Sequence, residues 1–384
     1  MRVLLIGTGG REHALAASLA ADPAVSQLIC APGNPGMASL AECRPVDTGD
    51  PDEIAALAVD VAADLVVVGP EAPLVVGAAD AVRAKGIACF GPSGRAAAIE
   101  GSKTFAKDVM DAAGVPTARA ATCSDPASVA VALDRFGPPY VVKDDGLAAG
   151  KGVVVTEDRA EALAHAARCG TVVVEEFLDG PEVSLFVISD GHTAVPLLPA
   201  QDFKRVGEGG TGPNTGGMGA YTPLPWADAG LVDTVMSTVA EPTLAELARR
   251  GAPFIGVLYC GLALTSEGPR VIEFNCRFGD PEIQAVLALL ETPLAGLLNA
   301  AARGELDAFG APRWKPGAAV CVVIASQGYP TRAAARRPVT GADAPGVLHA
   351  GTATDADGTL VSAGGRVLNC VASGADIAEA RRAA

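Results

Sequence analysis

Aromatic residues are scarce in this chain. Two Trp, four Tyr and ten Phe make up 4% of 384 residues, too few for the stacking platforms that grip single-stranded nucleic acid. Positive charge is also in deficit: 29 Lys and Arg face 44 Asp and Glu, for a net charge of −15. A nucleic-acid backbone needs a broad basic surface, so no nucleic-acid partner is expected. A small phosphorylated ligand needs only a few local cations and stays open. Long apolar runs are missing too. The best stretch, Ala285–Ala302, is interrupted by Glu291, Thr292 and Pro293, short of the ~18 residues of a membrane span. The opening MRVLLIGTGG has a short apolar stretch and no small-residue cleavage site, so it reads as a buried strand and not a signal peptide. Nine cysteines are scattered with no C-x-x-C pair, and the four histidines do not cluster with them. That excludes a disulfide framework and a structural zinc site, and points to a reducing cytoplasmic compartment.

What is present is apolar: 49% of the chain, with 19% charged. A sizeable core follows, divided among two or three domains by length. The first hundred residues alternate apolar strands (Arg2–Ile6, Leu28–Ala31, Leu65–Val68, Ile87–Phe90) with helices (Arg11–Ala21, Pro51–Ala62, Val75–Lys85). Such strands imply a parallel sheet covered on both faces, with ligands at the carboxyl ends of its strands. Ser102 is placed to cap a helix Lys103–Ala113 that closes at Gly114. Strands Tyr140–Lys143, Val153–Thr156 and Val172–Glu175 and helix Arg159–Arg168 follow. Residues 201–219 hold seven glycines and read as a long flexible functional loop. Residues 256–265 and 270–275 read as a hairpin. Gly310, Pro312, Pro316 and Gly317 mark a linker to a last α+β piece.

Four stretches could carry chemistry. Gly7-x-Gly9-Gly10 sits between a strand and a helix, where amide groups and the helix dipole attract anions. It lacks the third glycine of a dinucleotide fingerprint, Glu12 standing there, and Ala31 stands where a ribose-binding carboxylate is needed. Lys143–Gly152 is a hairpin-like loop with three glycines and two lysines. It does not match a P-loop, yet its amides can form an anion nest. In Val271–Glu282, alternation puts Glu273, Asn275 and Arg277 on one face, with Ile272 and Phe274 toward the core. Glu273 and Asn275 offer hard oxygen ligands for Mg²⁺, and Arg277 offers a fork for phosphate or carboxylate. Val172–Glu182 ends a strand where Phe177 and Leu178 could wall a base. His13 reads as a packed helix residue, and His165, His192 and His349 show no partners.

These stretches together resemble the phosphoribosylamine–glycine ligase family of ATP-grasp enzymes. The resemblance runs through IGTGGREHAL (6–15), VGPEAPL (68–74), FGPS (90–93), EGSKTFAKD (100–108), VVKDDGLAAGKGV (141–153), VEEFLDG (174–180), QDFKRV (201–206), GPNTGGMGAY (212–221) and VIEFNCRFGDPE (271–282). It implies a Rossmann-like N-terminal domain (1–101), an ATP-grasp α+β domain (102–310) with a lid subdomain at about 116–185, and a small C-terminal α+β domain (311–384), apparently truncated. It also implies ligation of glycine to 5-phosphoribosylamine with ATP and Mg²⁺ or Mn²⁺, through a glycyl phosphate, in purine synthesis. Partners are then small molecules only, on a monomer or weak dimer.

Carried over by position, the resemblance places Lys103 and Lys143 at the ATP phosphates, under a lid of Gly146, Gly150, Lys151 and Gly152. Glu175, Phe177 and Leu178 meet adenine, and Glu182 meets the ribose. Glu273 and Asn275 hold the metal without a further carboxylate from Leu258–Gly261. Gly9, Gly10 and Glu71 contact phosphoribosylamine. Asp202, Lys204, Arg277 and Asp280 line the region of glycine activation, with Lys143, Arg277 and Asp202 as the catalytic set. Three rivals stay open at this level: an ATP-grasp ligase of another acid, a dinucleotide oxidoreductase, and a non-catalytic nucleotide-binding module.

Overall fold

The computed structural model describes residues 1–147, 152–334 and 336–384. Its first unit is a five-stranded parallel sheet in the order Glu42–Cys43, Gln27–Pro32, Arg2–Gly7, Leu65–Val68, Ala88–Phe90. Val3 to Ile6 and Leu65 to Val67 are fully buried, as strands covered on both faces must be. The expected helix Val75–Lys85 is two helices, Glu71–Val75 and Ala78–Ala84. Gly77, at φ +94°, breaks it with a backbone conformation that other residues resist.

Helix Lys103–Ala113 forms as read. Ser102 Oγ accepts from Phe105 N at 3.1 Å, and Gly114 closes it at φ +67°. The sheet beyond it is antiparallel, ordered Ala120–Cys123, Val172–Glu175, Tyr140–Asp144, Val153–Thr156. Facing it is a second antiparallel sheet, ordered Ala194–Pro196, Glu182–Asp190, Ile255–Thr265, Gly268–Asn275. The Lys143 ammonium donates across the gap to Ile272 O at 2.8 Å.

Two expectations are corrected. Residues 201–219 are not one loop. They form the strand Gln201–Asp202, an exposed hairpin Arg205–Gly207 with Thr211–Asn214, and the start of Gly219–Thr222. Glycines at positive φ (209, 210 and 212) make the hairpin turn, so glycine richness here encodes a tight reversal. The last piece of chain adds to these strands. Its strands Ala318–Ala325, Arg366–Gly374 and Val347–His349 extend a sheet begun by Gln201–Asp202 and Gly219–Thr222. Second, Ile272 does not point into the core. The pairing jumps from Gly261 opposite Glu273 to Leu262 opposite Val271, and the bulge leaves Ile272 unpaired. Val271 and Phe274 are the core residues instead.

All nine cysteines are free. No helix among the described residues is long and apolar enough to cross a membrane.

Candidate active site

The two antiparallel sheets enclose a cavity of about 460 Å³, bounded on one side by Glu71 and Arg11 of the first unit and by Arg366 of the last. Helix Lys103–Ala113 lines it with Lys103, Ala106, Lys107 and Met110, spaced i, i+3, i+4, i+7 along one face. The helix start is tied to the glycine hairpin: Asp145 Oδ1 accepts from Thr104 N at 3.1 Å and Ser102 Oγ at 3.2 Å. Lys103 Nζ donates to Gly146 O at 3.0 Å.

One buried carboxylate organises the lysines. Glu175, 3% exposed, pairs through Oε1 with Lys107 at 2.8 Å and through Oε2 with Lys143 at 2.7 Å. Lys107 spends its other protons on Thr117 Oγ1 and Ala118 O, both at 2.9 Å. Burial lowers the Lys107 pKa; Glu175 opposes that shift and Lys143 adds to it. Lys143 has two partners, Glu175 and Ile272 O, so one of its three N–H groups stays free among the described residues. The Glu175 side chain is thus committed to the lysines.

Apolar groups wall the same end. Phe177 and Leu178 line the cavity with Met110, Val155 and Ile272. Gly146 and Gly152 border it as well, whereas the expected lid residues Gly150 and Lys151 lie outside the described residues. Glu182 is at the rim, 2.5 Å from Lys204 Nζ. Glu273 and Asn275 both face the cavity. Burial pushes the Glu273 carboxyl up, but Lys204, Lys143, Arg277 and Lys103 outweigh it and hold it below the usual range. It is therefore ionised at neutral pH. Among the described residues no group of three or more His, Cys, Asp or Glu could hold a metal. A carboxylate and an amide oxygen suit a hard divalent cation that takes its remaining oxygens from phosphates and water. The donor set fits Mg²⁺ or Mn²⁺ bound with a nucleotide.

At the opposite end Arg277 is held between Glu71 (3.2 Å) and Glu100 (3.4 Å). Asp280 and Arg366 meet there, with Arg366 Nη1 donating to Gly216 O at 2.7 Å. Asp202 lines the cavity and lacks an ion-pair partner among the described residues. Burial pushes its carboxyl up. Lys204 opposes that shift, Glu282 and Glu182 add to it, and the result is about 7.

Gly9 and Gly10 do not line the cavity. The Glu12 side chain folds back so that Gly9 N donates to Oε2 at 2.6 Å, and Arg11 N points to Asp280 Oδ2 at 3.3 Å. The helix start thus has its own anions. Gly10 is packed against Asn369: a Cβ there would lie 1.9 Å from Nδ2. The reading of His349 as partnerless is also corrected, because its amide donates to His13 Nδ1 at 2.8 Å. Sequence reasoning missed Lys107, Glu100, Tyr259, Glu282 and Arg366. Only Lys107 carried a signal, its i+4 spacing from Lys103; the others depend on long-range contacts.

Comparison with known proteins agrees with this geometry. Three family descriptions match in order: phosphoribosylglycinamide synthetase N domain at residues 1–100, ATP-grasp (A) domain at 101–283, and C domain at 319–384. Phosphoribosylamine–glycine ligase of Streptomyces coelicolor is 62% identical over 99% of this chain and 93% of its own length. That of Mycobacterium tuberculosis is 60% identical over 99% and 92%. The crystal structure of phosphoribosylamine–glycine ligase from Thermotoga maritima superposes with a TM-score of 0.87 at 31% identity, covering 100% of this chain and 95% of that one. N5-carboxyaminoimidazole ribonucleotide synthetase from Thermus thermophilus, at 18% identity and a TM-score of 0.68, covering 100% of this chain and 96% of that one, shares the fold. With its three domains matched in order and residues of most of these motifs lining one cavity, the chain belongs to the phosphoribosylamine–glycine ligase family of ATP-grasp enzymes of purine biosynthesis.

Proposed function

We propose that this cavity joins glycine to 5-phosphoribosylamine at the expense of ATP, giving glycinamide ribonucleotide, ADP and phosphate, and that one end of it serves ATP and the other the two substrates. A carboxylate does not react with an amine at neutral pH, because its leaving group would be oxide. In the first step a glycine carboxylate oxygen attacks the γ-phosphorus. An O–P bond forms, the bond to the bridging oxygen breaks, and ADP leaves with the electron pair. In the second the amine nitrogen of phosphoribosylamine attacks the acyl carbon. A C–N bond forms, the C–O bond to phosphate breaks, phosphate leaves with the pair, and the nitrogen sheds a proton.

Lys103 and Lys143 stabilise the phosphoryl oxygens as charge moves. Gly146 and Gly152, with Gly150 and Lys151, cover the triphosphate and keep water from the acyl phosphate. Phe177 and Leu178 hold adenine beside the backbone of Glu175, and Glu182 takes the ribose hydroxyls. Glu273 and Asn275 would hold Mg²⁺ or Mn²⁺, which supplies charge neutralisation at the phosphates. Arg277, Asp202 and Lys204 serve the amino acid. Asp280 lines the same region, and Glu71 serves phosphoribosylamine.

The observation that carries this assignment is the convergence of Lys103, Lys143, Glu273 and Asn275 on one enclosed cavity from three separate elements. ADP release tests it. ADP is expected with glycine plus phosphoribosylamine and not when another amino acid replaces glycine. Release with a different acid, or none with any, overturns the assignment.

A further inference from the structure

The antiparallel sheet that carries Lys143 joins the rest of the molecule through two crossings, residues 114–119 going in and 176–181 coming out. Glu176 ties both crossings to the second sheet. Its carboxylate accepts from Arg119 N at 2.9 Å, Arg119 Nε at 2.6 Å and Arg270 Nη2 at 2.9 Å. Arg270 Nη2 also donates to Thr117 O at 2.7 Å. That is the hinge end of the sheet. At the other end, where Asp144 pairs with Val172, the sheet meets the start of helix Lys103–Ala113. This helix packs on helices Gly94–Gly101 and Glu241–Arg249 and on strand Gly268–Asn275. Three contacts bridge sheet and helix there. Asp145 Oδ1 accepts from Thr104 N at 3.1 Å and Ser102 Oγ at 3.2 Å. Lys103 Nζ donates to Gly146 O at 3.0 Å, and the Thr104 and Thr122 hydroxyls are 3.3 Å apart.

Asp145 has the chemistry of a latch. Its carboxylate sits at the start of an 11-residue helix, where unpaired amides and the helix dipole favour an anion. Burial pushes its carboxyl up, but the hydrogen bonds from Thr104 and Ser102 outweigh burial and hold it below the usual range. It is therefore charged at neutral pH. In sequence it stands directly before Gly146. A glycine hairpin has much backbone freedom to lose, so it needs an anchor to hold one position. A charge-assisted hydrogen bond at its base supplies one. The same contact sets Gly146 O on Lys103, so the hairpin and the lysine assigned to the phosphates are placed together.

We propose that Asp145 is a positioning residue, a latch that holds the glycine hairpin against the start of helix Lys103–Ala113 and so keeps water from the acyl phosphate. The proposal rests on the ligase reading of the cavity. With the latch open, water reaches the intermediate. Its oxygen attacks the acyl carbon and a C–O bond forms. The C–O bond to phosphate breaks, phosphate leaves with the electron pair, and the added water sheds a proton. Glycine is regenerated and ATP is consumed without product. Coupling of ATP cleavage to ligation then depends on a carboxylate that touches neither substrate. Ser102 has two tasks in this scheme: it caps the helix through Phe105 N and donates to Asp145.

Two measurements on the full chain test it. The first is glycine-dependent ADP release without phosphoribosylamine, at saturating ATP and Mg²⁺, which reads leakage of the intermediate to water. Asp145→Ala is expected to raise it about tenfold, the population change for losing one charge-assisted hydrogen bond. In the complete reaction, ADP formed per glycinamide ribonucleotide should rise above one. Asp145→Asn keeps an acceptor without the charge and should leak to an intermediate extent. Damage that is only structural lowers turnover with and without phosphoribosylamine and does not raise leakage. The second measurement is hydrogen exchange of the Thr104 amide in the nucleotide-free chain. That amide is in the first helical turn, where no partner within the helix is available, so its protection comes from Asp145. Exchange should quicken about tenfold in Asp145→Ala, whatever reaction the chain catalyses. If Asp145→Ala does not fold by circular dichroism, Asp145→Asn carries both measurements. Unchanged leakage or unchanged Thr104 exchange overturns the proposal. Absence of ADP release by the unmodified chain with glycine and phosphoribosylamine would instead overturn the ligase reading.

Discussion

The ammonium of Lys107 lies 2.8 Å from Oε1 of Glu175, and every proton it carries is taken up inside the protein. Lys107 is thus a buried counter-ion, although it shares a helix face with Lys103. Lys107→Met is expected to leave half of the Glu175 carboxylate unpaired and cost about 3 kcal/mol of stability, the low end for a broken buried pair because Lys143 still holds the other oxygen. Urea unfolding should show a lower midpoint with an unchanged slope. Lys107→Met combined with Glu175→Gln should recover much of the loss, as expected for residues in contact. A double variant no more stable than Lys107→Met would disprove the counter-ion role.

Lys143 lines the cavity and, among the described residues, has one partner fewer than Lys107. Lys143→Ala is expected to lower kcat by about 10²–10³, the usual effect of losing one transition-state donor. Lys107→Met, measured under conditions where it is folded, should lose far less. Rapid-quench measurement of ADP formation at saturating ATP separates the two. Equal kcat losses would mean that Lys143 acts only through Glu175.

Much of this arrangement is legible from local rules. Ser102 and Gly114 fix both ends of helix Lys103–Ala113, because an N-cap hydroxyl and a left-handed glycine are read over four or five residues. The fully apolar strands of the first sheet are equally plain. The bulge at Ile272 was not, since period-two alternation assumes unbroken pairing and the break depends on the partner strand. The glycine turn at Gly9 is a related case. Glu12 occupies it from three residues away, so an anion-binding shape satisfies an anion of the same chain. Glu282 was invisible because its partners, Ser184 and Tyr259, are 98 and 23 residues distant. Position by position, the family motifs located the cavity residues, and only packing distinguished which were free to meet a ligand.

Asp202 gives the reaction a pH dependence. Burial raises its carboxyl to about 7; Glu282 and Glu182 add to the shift and Lys204 opposes it. Below that value Asp202 is neutral and attracts an ammonium weakly; above it the charge is restored. The kcat/KM for glycine is therefore expected to rise with pH through about 7 and then level, apart from any fall caused by the amines themselves. Asp202→Asn should lower the plateau and remove the rise. A profile for Asp202→Asn with the same inflection would assign the titration to another group.

His13 and His349 join the first and last parts of the chain, and the join should fail in acid. His13 is 6% exposed, and its Nδ1 accepts the His349 amide at 2.8 Å, which requires an unprotonated nitrogen. Asn34 secures the same corner by donating to His349 O at 3.0 Å and Thr8 O at 2.8 Å. Burial, reinforced by the neighbouring His349, lowers the His13 pKa from 6.5 to about 4. The unfolded chain therefore binds a proton between these values that the folded chain refuses. Stability is complete above about pH 6.5 and falls as pH drops toward 4, by roughly 3 kcal/mol at most for a shift of this size. His13→Asn keeps an acceptor near the position of Nδ1 but does not titrate. Its unfolding free energy should fall less steeply over pH 6.5–4 than that of the unmodified chain. Identical slopes for the two proteins would show that acid sensitivity in this range arises elsewhere.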